Sequence, residues 1–591
     1  MKKRIMILSL AALLVTTACN DDFLEVAPLD RYSDAAVWKD PALVSTFVNG
    51  IYEGVHYSFQ TEMLASVSDE AMDVWGWETL PVINGDINNS YLGVFTHWSG
   101  AYNRLTWNAM YKNVRNCNVF FKNIEASSLQ GPEIDRMKGE VHFLRAYFYY
   151  WLMSMYGGVP VIDTAYSPTD ELKVARNTLE ETINFINADL DAAAALLPET
   201  GDKAHATKGA AMTLKSRVLL YAASDLFNSQ GSWASGFNNP ELVSYIGGDR
   251  TARWRAAKDA AKAVIDLNLY SLYGGTSQSS EEQAITNYEN IFLNHGTNED
   301  IYLQYYDNVN DNAWTSPSPG LFNGPNGYHG WGGNTPLQQF IDSFEMKDGS
   351  AFSWNNATQA AAPYENRDPR FYANILYNGA HWRQRPDDVI SADPVGIIQT
   401  GYYQAANGSY NPGLDTRQGP VEDWNGTYTG YYIRKFIDPA INHQYERQKY
   451  PWRHMRYAEV ILNYVEACIE LGEENEARTY LNMIRGRAGM PAITTSETGA
   501  ALKARYRNER KIELAWENHR YFDIRRWMIA PEVTQNAKGI DIRYPFGSTT
   551  PTYSVINVQN RAWNASNKTY FLPIMLDELN KNNLLVQNPG Y

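Results

Sequence analysis

The chain has 591 residues, a formal net charge of −15 and an apolar content of 44%. This acidity disfavours nucleic acid and anionic lipid surfaces as partners, because both are polyanions. The chain contains 17 Trp and 40 Tyr, and many of them lie in polar, Gly- and Asn-rich stretches that do not have the pattern of a core. Aromatic side chains in such stretches indicate a recognition surface in addition to a large core.

The first 22 residues predict export and a lipid anchor. Basic residues Lys2–Arg4 precede the apolar run Ile5–Val15, and small residues then lead to Cys19. This order is typical of a secretory signal, and the run is too short to span a bilayer. A cysteine directly after the small residues resembles a bacterial lipobox, so we predict a signal peptide over 1–18, lipidation of Cys19 and a tether over 19–40. The alternative is an ordinary secreted protein in which this cysteine is incidental.

Two blocks of helical periodicity flank the middle of the chain. Apolar residues at helical spacing predict a helix over 41–57, and the strongest pattern covers 140–156, where Gly157, Gly158 and Pro160 follow as a stop signal. The same pattern predicts further helices over 179–197, 208–228, 252–268, 454–471, 474–487 and 504–527. The pair over 454–488 has the length of a tetratricopeptide-like hairpin. We therefore predict a mainly α fold with a helical-repeat scaffold.

The composition changes at about residue 270. From there to residue 450 the chain is rich in Gly, Asn, Pro and aromatic residues, and a short strand is predicted over 301–305. We predict an N-terminal helical scaffold over 41–269, a variable, loop-rich ligand-binding region with short strands over 270–450, and a C-terminal helical scaffold and tail over 451–591.

Two groups of loop aromatics are the candidate binding residues. Trp75 and Trp77 flank Gly76 in a polar stretch with Asp73, and a second group lies in the variable region. Sugar rings have apolar faces and hydroxyl edges, so their recognition requires flat aromatic rings beside amide or carboxylate groups. We predict one shared aromatic platform built from both groups. The candidates are Asp73, Trp75, Trp77, Trp98, Tyr306, Asn312, Trp314, Tyr328 and Trp331.

Other chemistry has little support in the sequence. The ten histidines are scattered without a zinc-binding spacing, and no phosphate-binding or dinucleotide-binding fingerprint occurs. Asp307 and Asp311 supply hard oxygen donors that suit Ca²⁺, but the spacing is not that of an EF-hand, and a solvated turn is the preferred interpretation. Cys117 and Cys468 lie in apolar helical patterns and are predicted as buried free thiols. No cofactor is predicted.

The charged residues over 505–526 are interpreted as a structural ion-pair lattice rather than as a catalytic site. Arg510 and Glu513, like Glu517 and Arg520, are i,i+3 neighbours on a predicted helix, so opposite charges share one face of that helix.

Several sequence blocks together resemble the SusD/RagB family of nutrient-uptake outer-membrane lipoproteins. They run in the order of the family from residue 19 to residue 591: CNDDFLE at 19–25, SDEA at 68–71, LRAY at 144–147, YGGVP at 156–160, FEMKDG at 344–349, DPRF at 368–371, GYYIRK at 430–435, RYAEVILNYVEA at 456–467, LNMIRGRAG at 481–489, NERKIEL at 508–514, RYFDIRRW at 520–527 and QNPGY at 587–591. Asp21-Asp22 also resembles the surface-export signal of Bacteroidota lipoproteins.

The resemblance implies a tetratricopeptide-like scaffold that carries a variable region and is lipid-anchored to the outer membrane, facing the cell exterior. It implies capture of an oligosaccharide without catalysis, and a SusC-like TonB-dependent transporter as partner. Two alternatives remain: a peptide-binding lid on the same scaffold, and a surface glycoside hydrolase, for which a pair of carboxylates in the aromatic cleft would suffice.

Overall fold

The computed structural model describes residues 37–591 except 56–58, 60, 97–103, 168, 171–172, 307–308 and 315. The predicted signal peptide, the lipidation site Cys19 and most of the tether lie outside the described residues, as do the candidates Trp98 and Asp307. Within the described part of the chain, no helix has the length and apolar character that crossing a membrane requires.

Helices predominate, which confirms the predicted mainly α fold. They are α1 (Pro41–Tyr52), α2 (Leu80–Asn84), α3 (Trp107–Ala126), α4 (Pro132–Tyr156), α5 (Leu179–Leu196), α6 (Lys208–Ala223), α7 (Arg250–Asp266), α8 (Glu281–Leu293), α9 (Pro319–Asn323), α10 (Gln338–Asp342), α11 (Ala357–Ala361), α12 (Pro369–Asn374), α13 (Tyr457–Glu470), α14 (Glu474–Arg487), α15 (Gly499–Glu513), α16 (Arg520–Arg526), α17 (Ala530–Val533) and α18 (Leu576–Lys581).

The strands are short and lie mostly in the middle and near the end of the chain. They are β1 (Ala71–Asp73), β2 (Asp300–Gln304), β3 (Asn334–Pro336), β4 (Ile375–Leu376), β5 (Tyr402–Gln404), β6 (Tyr410–Pro412), β7 (Tyr432–Ile433), β8 (Trp452–Arg456), β9 (Ala537–Tyr544) and β10 (Thr552–Gln559). β1 pairs with β3, β2 with β8 and β4 with β7, while the order β10-β9-β5-β6 makes one four-stranded sheet.

Helix α4 is the centre of the scaffold. Pro132 occupies its first turn, and the helix ends at Gly157, whose φ of +83° places it in the left-handed region. From Phe143 to Tyr156 every side chain is buried, so neighbouring elements cover the helix on all sides. α3 and α5 pack against α4, α6 packs on α7, and α13 packs on both α7 and α14. The predicted helical hairpin over 454–488 is confirmed as α13 and α14.

Several predicted helices differ from the structure in their bounds. The helix predicted over 41–57 ends at Tyr52, and the one predicted over 208–228 ends at Ala223. The helix predicted over 454–471 begins at Tyr457, because the residues before it form β8 and pair with β2. The helix predicted over 504–527 is split into α15 and α16. Between them Trp516 and Asn518 have φ of +60° and +66°, a left-handed conformation that cannot continue a right-handed helix.

A second hydrophobic core lies beneath the variable region. It contains Phe340, Phe344 and Phe371 from that region, together with Met72 from the N-terminal part and Trp516 from the C-terminal part. The variable region therefore shares its core with both flanking parts of the chain. Cys117 and Cys468 are buried free thiols, as predicted.

The charged residues of α15 form a buried network, which confirms the structural lattice. Glu513 pairs with three arginines, Arg370, Arg456 and Arg487. Burial alone would raise the pKa of Glu513, but these guanidinium groups hold it well below its usual range. Glu517 pairs with Arg456 at 2.7 Å rather than with Arg520.

Arg510 and Arg520 pair with residues outside their own helix rather than with their i,i+3 neighbours Glu513 and Glu517. Arg510 lies 2.9 Å from Asp523 instead of pairing with Glu513. Arg520 binds both carboxylate oxygens of Asp69 at 2.7 and 2.8 Å, across 451 residues of sequence. These side chains are buried, so they face other segments of the chain rather than their neighbours along the helix surface.

Candidate functional site

The pairing of β1 with β3 brings the two predicted groups of loop aromatics together. Asp73 lies opposite Asn334 in this antiparallel ladder, and the N–H of Val74 donates to the carbonyl of Gly333 at 2.8 Å. The loop that follows β1 carries Trp75, and the loop that precedes β3 carries Trp331. The short ladder therefore places both loops side by side.

Four aromatic rings meet at this point and are called the aromatic cluster: Trp75, Trp314, Phe322 and Trp331. The ring centroids of Trp75 and Trp331 are 6.3 Å apart, and those of Trp314 and Trp331 are 5.8 Å apart. Phe322 lies 5.4 Å from Trp314 and 5.3 Å from Trp331, and it is fully buried. Trp314 is 43% exposed, so the cluster has a buried base and an outer surface open to solvent.

Asn334 ties the two halves of the site together beneath the cluster. Its side-chain oxygen accepts from the Ser66 hydroxyl at 2.7 Å and from the Met63 N–H at 3.2 Å. Its side-chain nitrogen donates to the Thr61 carbonyl at 2.5 Å and to the Asn323 side chain at 2.8 Å. Both polar atoms of this buried side chain are thus hydrogen-bonded, which fixes the segment before β1 against the variable region.

Asp73 holds the turn that presents Trp75. Its carboxylate accepts the N–H groups of Trp75 and Gly76, both at 3.1 Å, and the Thr79 hydroxyl at 3.4 Å. The side chain is buried, and this burial raises the pKa of Asp73 to about 7. The position favours a structural role for Asp73 over direct contact with a ligand.

Asn312 has a corresponding role for Trp314. Its side-chain oxygen accepts the N–H of Trp314 at 2.9 Å, which makes an Asx turn, and its own N–H donates to the Asn310 side chain. The turn orients the Trp314 ring toward Phe322 and Trp331. Asp311, the remaining calcium candidate in the described part of the chain, is exposed.

The other predicted site residues lie in three different surroundings. Trp77 is 78% exposed on the loop that carries Trp75. Tyr306 packs against Phe59 of the second core, with ring centroids 6.0 Å apart. Tyr328 is buried, its hydroxyl donates to the Arg383 carbonyl at 2.8 Å, and this placement favours a packing role.

Sequence reasoning missed two exposed aromatics beside the cluster. Trp424 is 61% exposed and Tyr428 is also exposed; the N–H of Gly426, which lies between them, donates to the Trp331 carbonyl at 3.1 Å. The Arg417 guanidinium lies 4.2 Å from the Tyr428 ring centroid. Trp424 follows Glu-Asp and precedes Asn-Gly, which is the same pattern of an aromatic residue in a polar loop that identified Trp75.

An apolar cavity lies elsewhere in the scaffold. It has a volume of about 380 Å³ and is lined by residues of α3, of the segment over 160–174 and of the tail, among them Trp107, Tyr111, Ile162 and Leu585. Apolar cavities of this kind often bind small ligands. The exposed tryptophan Trp314, however, belongs to the aromatic cluster, and the exposed Trp424 and Tyr428 lie beside it, so the aromatic cluster is the candidate site.

The described residues contain no group of three or more His, Cys, Asp or Glu side chains arranged to hold a metal ion. The preference for a solvated turn over a calcium site at Asp307 and Asp311 stays an untested prediction, since Asp307 is not among the described residues.

Two family models match the chain. One, described as the SusD family, covers residues 289–591, which is more than half of the sequence. The other, described as "Starch-binding associating with outer membrane", covers residues 22–220 and supports an association with the outer membrane. The chain belongs to the SusD family.

Individual relatives match over their whole length. SusD-like protein P2 of Formosa agariphila is 23% identical, and the match covers 100% of both chains. The crystal structure of a SusD-like protein from Bacteroides fragilis is 29% identical with a TM-score of 0.74, covering 96% of this chain and 100% of the other. A laminarin-binding SusD-like protein is 19% identical with a TM-score of 0.58, covering 94% of this chain and 100% of the other.

Proposed function

We propose that this protein captures oligosaccharides at the cell surface and passes them to a SusC-like TonB-dependent transporter, without catalysis. The observation that carries the proposal is the contact of Trp75, Trp314 and Trp331, which come from two loops far apart in sequence. Membership of the SusD family and the laminarin-binding neighbour support a glycan as the ligand. In this proposal Cys19 carries the lipid anchor in the outer membrane.

The cluster suits a ligand that is held moderately and then released. Each indole offers a rigid, flat surface that loses little side-chain entropy on binding. Trp77 and Trp424, on two loops that carry or contact members of the cluster, are largely exposed and can add aromatic surface. Aromatic stacking contributes about 0.5–1.5 kcal/mol for each ring pair beyond the buried area, so a few contacts give modest affinity. Modest affinity fits a protein that must hand its cargo to a transporter.

Calorimetry with a panel of oligosaccharides tests the proposal. Trp314→Ala and Trp331→Ala should each weaken binding by about tenfold or more, a loss of about 1.4 kcal/mol. Ile246→Ala is the matched control, since Ile246 is an exposed apolar residue between α6 and α7 on the scaffold. Unchanged affinity in both tryptophan variants, with an unfolding midpoint like that of the wild type, would contradict the proposed site.

Two further assays separate the alternatives. A peptide library beside the glycan panel tests the peptide-binding lid, because aromatic surfaces bind peptides as well as sugars. Release of reducing sugar from polysaccharides tests the hydrolase, and sustained turnover would contradict a non-catalytic role. The Asp73 carboxylate already accepts two backbone N–H groups and the Thr79 hydroxyl, which supports a structural role for this residue.

The anchor is tested separately from the site. Cys19→Ala should leave sugar binding by the soluble protein unchanged and abolish display on the cell surface, measured by protease accessibility of intact cells. Normal display of this variant would contradict the lipid anchor without affecting the glycan site.

A further inference from the structure

The four-stranded sheet presents a second aromatic surface to solvent. Tyr402 lies opposite Arg543 of β9, and Gln404 lies opposite Tyr410 of β6. Paired residues project to the same face of a sheet, and alternate residues along a strand share a face. Tyr402, Gln404, Tyr410 and Arg543 therefore lie on one face.

The opposite face of this sheet belongs to the protein interior. Tyr403 and Tyr544 stack there with ring centroids 4.7 Å apart and an interplanar angle of 10°. Ile542 is fully buried in the second core, and Tyr553 of β10 packs against Tyr364 at 5.8 Å. The face that carries Tyr402 and Tyr410 is thus directed outward.

Tyr402, Gln404, Tyr410, Arg543 and Phe546 are called the sheet platform. The Arg543 guanidinium lies 4.8 Å from the Tyr410 ring centroid and 5.6 Å from that of Tyr402. Phe546, at the tip of the hairpin, is 65% exposed, and its N–H donates to the Gln404 side chain at 3.2 Å. Tyr410 is 36% exposed. Cation–π contacts hold both tyrosines in place, so little ordering entropy is lost when a ligand stacks on them.

The charge of the platform favours an uncharged ligand. The Nε of Arg543 donates to a carboxylate oxygen of Asp541 at 2.7 Å, so the one cation on the platform is matched by one anion beside it. The surface combines aromatic rings with amide, guanidinium and carboxylate groups but has no net charge. This chemistry complements the apolar faces and hydroxyl edges of a neutral sugar chain.

The other end of the sheet lies near the loop that carries Trp75. A Cβ added at Gly76, beside Trp75, would lie 3.4 Å from the side-chain nitrogen of Gln559, the last residue of β10. The N–H of Ile540 donates to the carbonyl of Thr429 at 2.9 Å, next to the exposed Tyr428. The eight residues of β10 extend over about 27 Å from this end to the hairpin.

We propose that the sheet platform is a second contact surface for neutral polysaccharide chains, distinct from the aromatic cluster. This inference rests on the proposed function. The aromatic cluster would bind a short oligosaccharide, and the sheet platform would add a second contact for longer polysaccharide chains. A polysaccharide that reaches both surfaces is retained more strongly than a short oligosaccharide, because the second contact is made at a high effective concentration.

The test compares long and short ligands on the full soluble protein. A panel of neutral polysaccharides, namely laminarin, starch, xylan and mannan, is used in affinity gels, and three- to six-unit oligosaccharides of each are used in calorimetry. The double variant Tyr402→Ala/Tyr410→Ala should weaken retention by polysaccharide about tenfold and leave oligosaccharide affinity unchanged. Val555→Ala is the matched control. Val555 is exposed on β10, and its pairing with Ile540 of β9 places it on the face opposite to Tyr402 and Tyr410.

Each remaining outcome has a defined meaning. Unchanged polysaccharide retention in the double variant, with circular dichroism and melting like those of the wild type, overturns the sheet platform and leaves the aromatic cluster intact. Loss of short-oligosaccharide binding in the double variant overturns the platform as a separate surface. If the wild-type protein is retained by no polysaccharide and binds no oligosaccharide, both proposals fail. Retention lost in Trp331→Ala but not in the double variant overturns this inference alone.

Discussion

The indole of Trp75 lies against the backbone of Gly333. A Cβ at residue 333 would come within 2.9 Å of the indole Cζ3 and within 2.8 Å of the Phe322 carbonyl oxygen. Real Cβ atoms essentially never come that close to other atoms. The Trp75 ring can therefore take this orientation only because residue 333 is a glycine. The orientation of one aromatic surface in the site is therefore set by a residue on the other loop.

Gly333→Ala should displace Trp75 and weaken oligosaccharide binding by about tenfold, at a cost in stability of about 1–3 kcal/mol. The change is measured by calorimetry and by denaturant unfolding. Gly50→Ala is the control, because a Cβ at Gly50 meets no atom within 4 Å. Wild-type affinity in Gly333→Ala would show that the orientation of Trp75 does not contribute to binding.

Asn334→Ala should destabilise the protein by about 3 kcal/mol, because it leaves the buried partners of this amide unsatisfied. Those partners include the Ser66 hydroxyl and the Thr61 carbonyl. Binding should weaken at the same time, since the two loops lose their common anchor. Urea unfolding and calorimetry measure both effects, with Asn411→Ala on the exposed strand β6 as the control. A stability loss below about 1 kcal/mol would contradict this role for Asn334.

Arg456→Met should be strongly destabilising, by about 3–5 kcal/mol, because it leaves buried carboxylates without a cation. Arg456 bonds Glu299 at 2.6 Å, Glu513 at 2.8 Å and Glu517 at 2.7 Å. The exposed pair of Lys262 with Asp266 is the comparison, and Lys262→Met should cost no more than about 0.5 kcal/mol. Equal effects of the two substitutions on the free energy of unfolding would contradict the structural importance of the buried network.

The stability of the protein should depend on the ionisation of Asp73. Burial raises the pKa of Asp73 to about 7 in the folded state, above its ordinary value of about 3.9. The folded state therefore retains this proton over a range in which the unfolded chain has lost it, so the contribution of Asp73 to stability falls as the pH rises from about 4 to about 7 and is constant above that.

Asp73→Asn removes this titration. The free energy of unfolding of the variant, measured by urea denaturation at several pH values, should fall less steeply than that of the wild type between about pH 4 and pH 7. The difference between the two curves isolates Asp73 from other titrating groups such as Glu70, whose pKa burial raises to about 8. Parallel curves across this range would contradict the raised pKa.

The scaffold could be predicted largely from helical spacing, because its helices bury continuous apolar stripes. The helix predicted over 140–156 lies within α4, and the helix predicted over 179–197 is one residue longer than α5. The break between α15 and α16 could not be predicted, since Trp516 and Asn518 adopt left-handed conformations without a glycine or proline signal in the sequence. Tertiary packing of the fully buried Trp516 imposes this turn.

The candidate site was predictable in its location but not in its detail. Aromatic residues in polar loops identified Trp75, Trp314 and Trp331, which the structure brings together. The same pattern does not distinguish Tyr328, which is buried beneath the Arg385 guanidinium at 4.2 Å. Exposure depends on which segments pack over a loop, and the partners of a loop are not encoded in its local composition. The partners of Arg510 and Arg520, which are Asp523 and Asp69, could not be predicted for the same reason, because they depend on which segments pack together.

The hydrogen bond between Ser66 and Asn334 spans 268 residues of sequence. Contacts of such separation form late in folding, because the entropy of closing a long loop must be offset by structure that already exists. Helices α3 to α7 lie between these two residues and pack mainly on one another, so their packing shortens the loop that the contact must close. A chain arrested before residue 334 would have most of its N-terminal scaffold but only half of its recognition surface. Ligand binding by this protein therefore requires that the chain on both sides of residue 334 has folded.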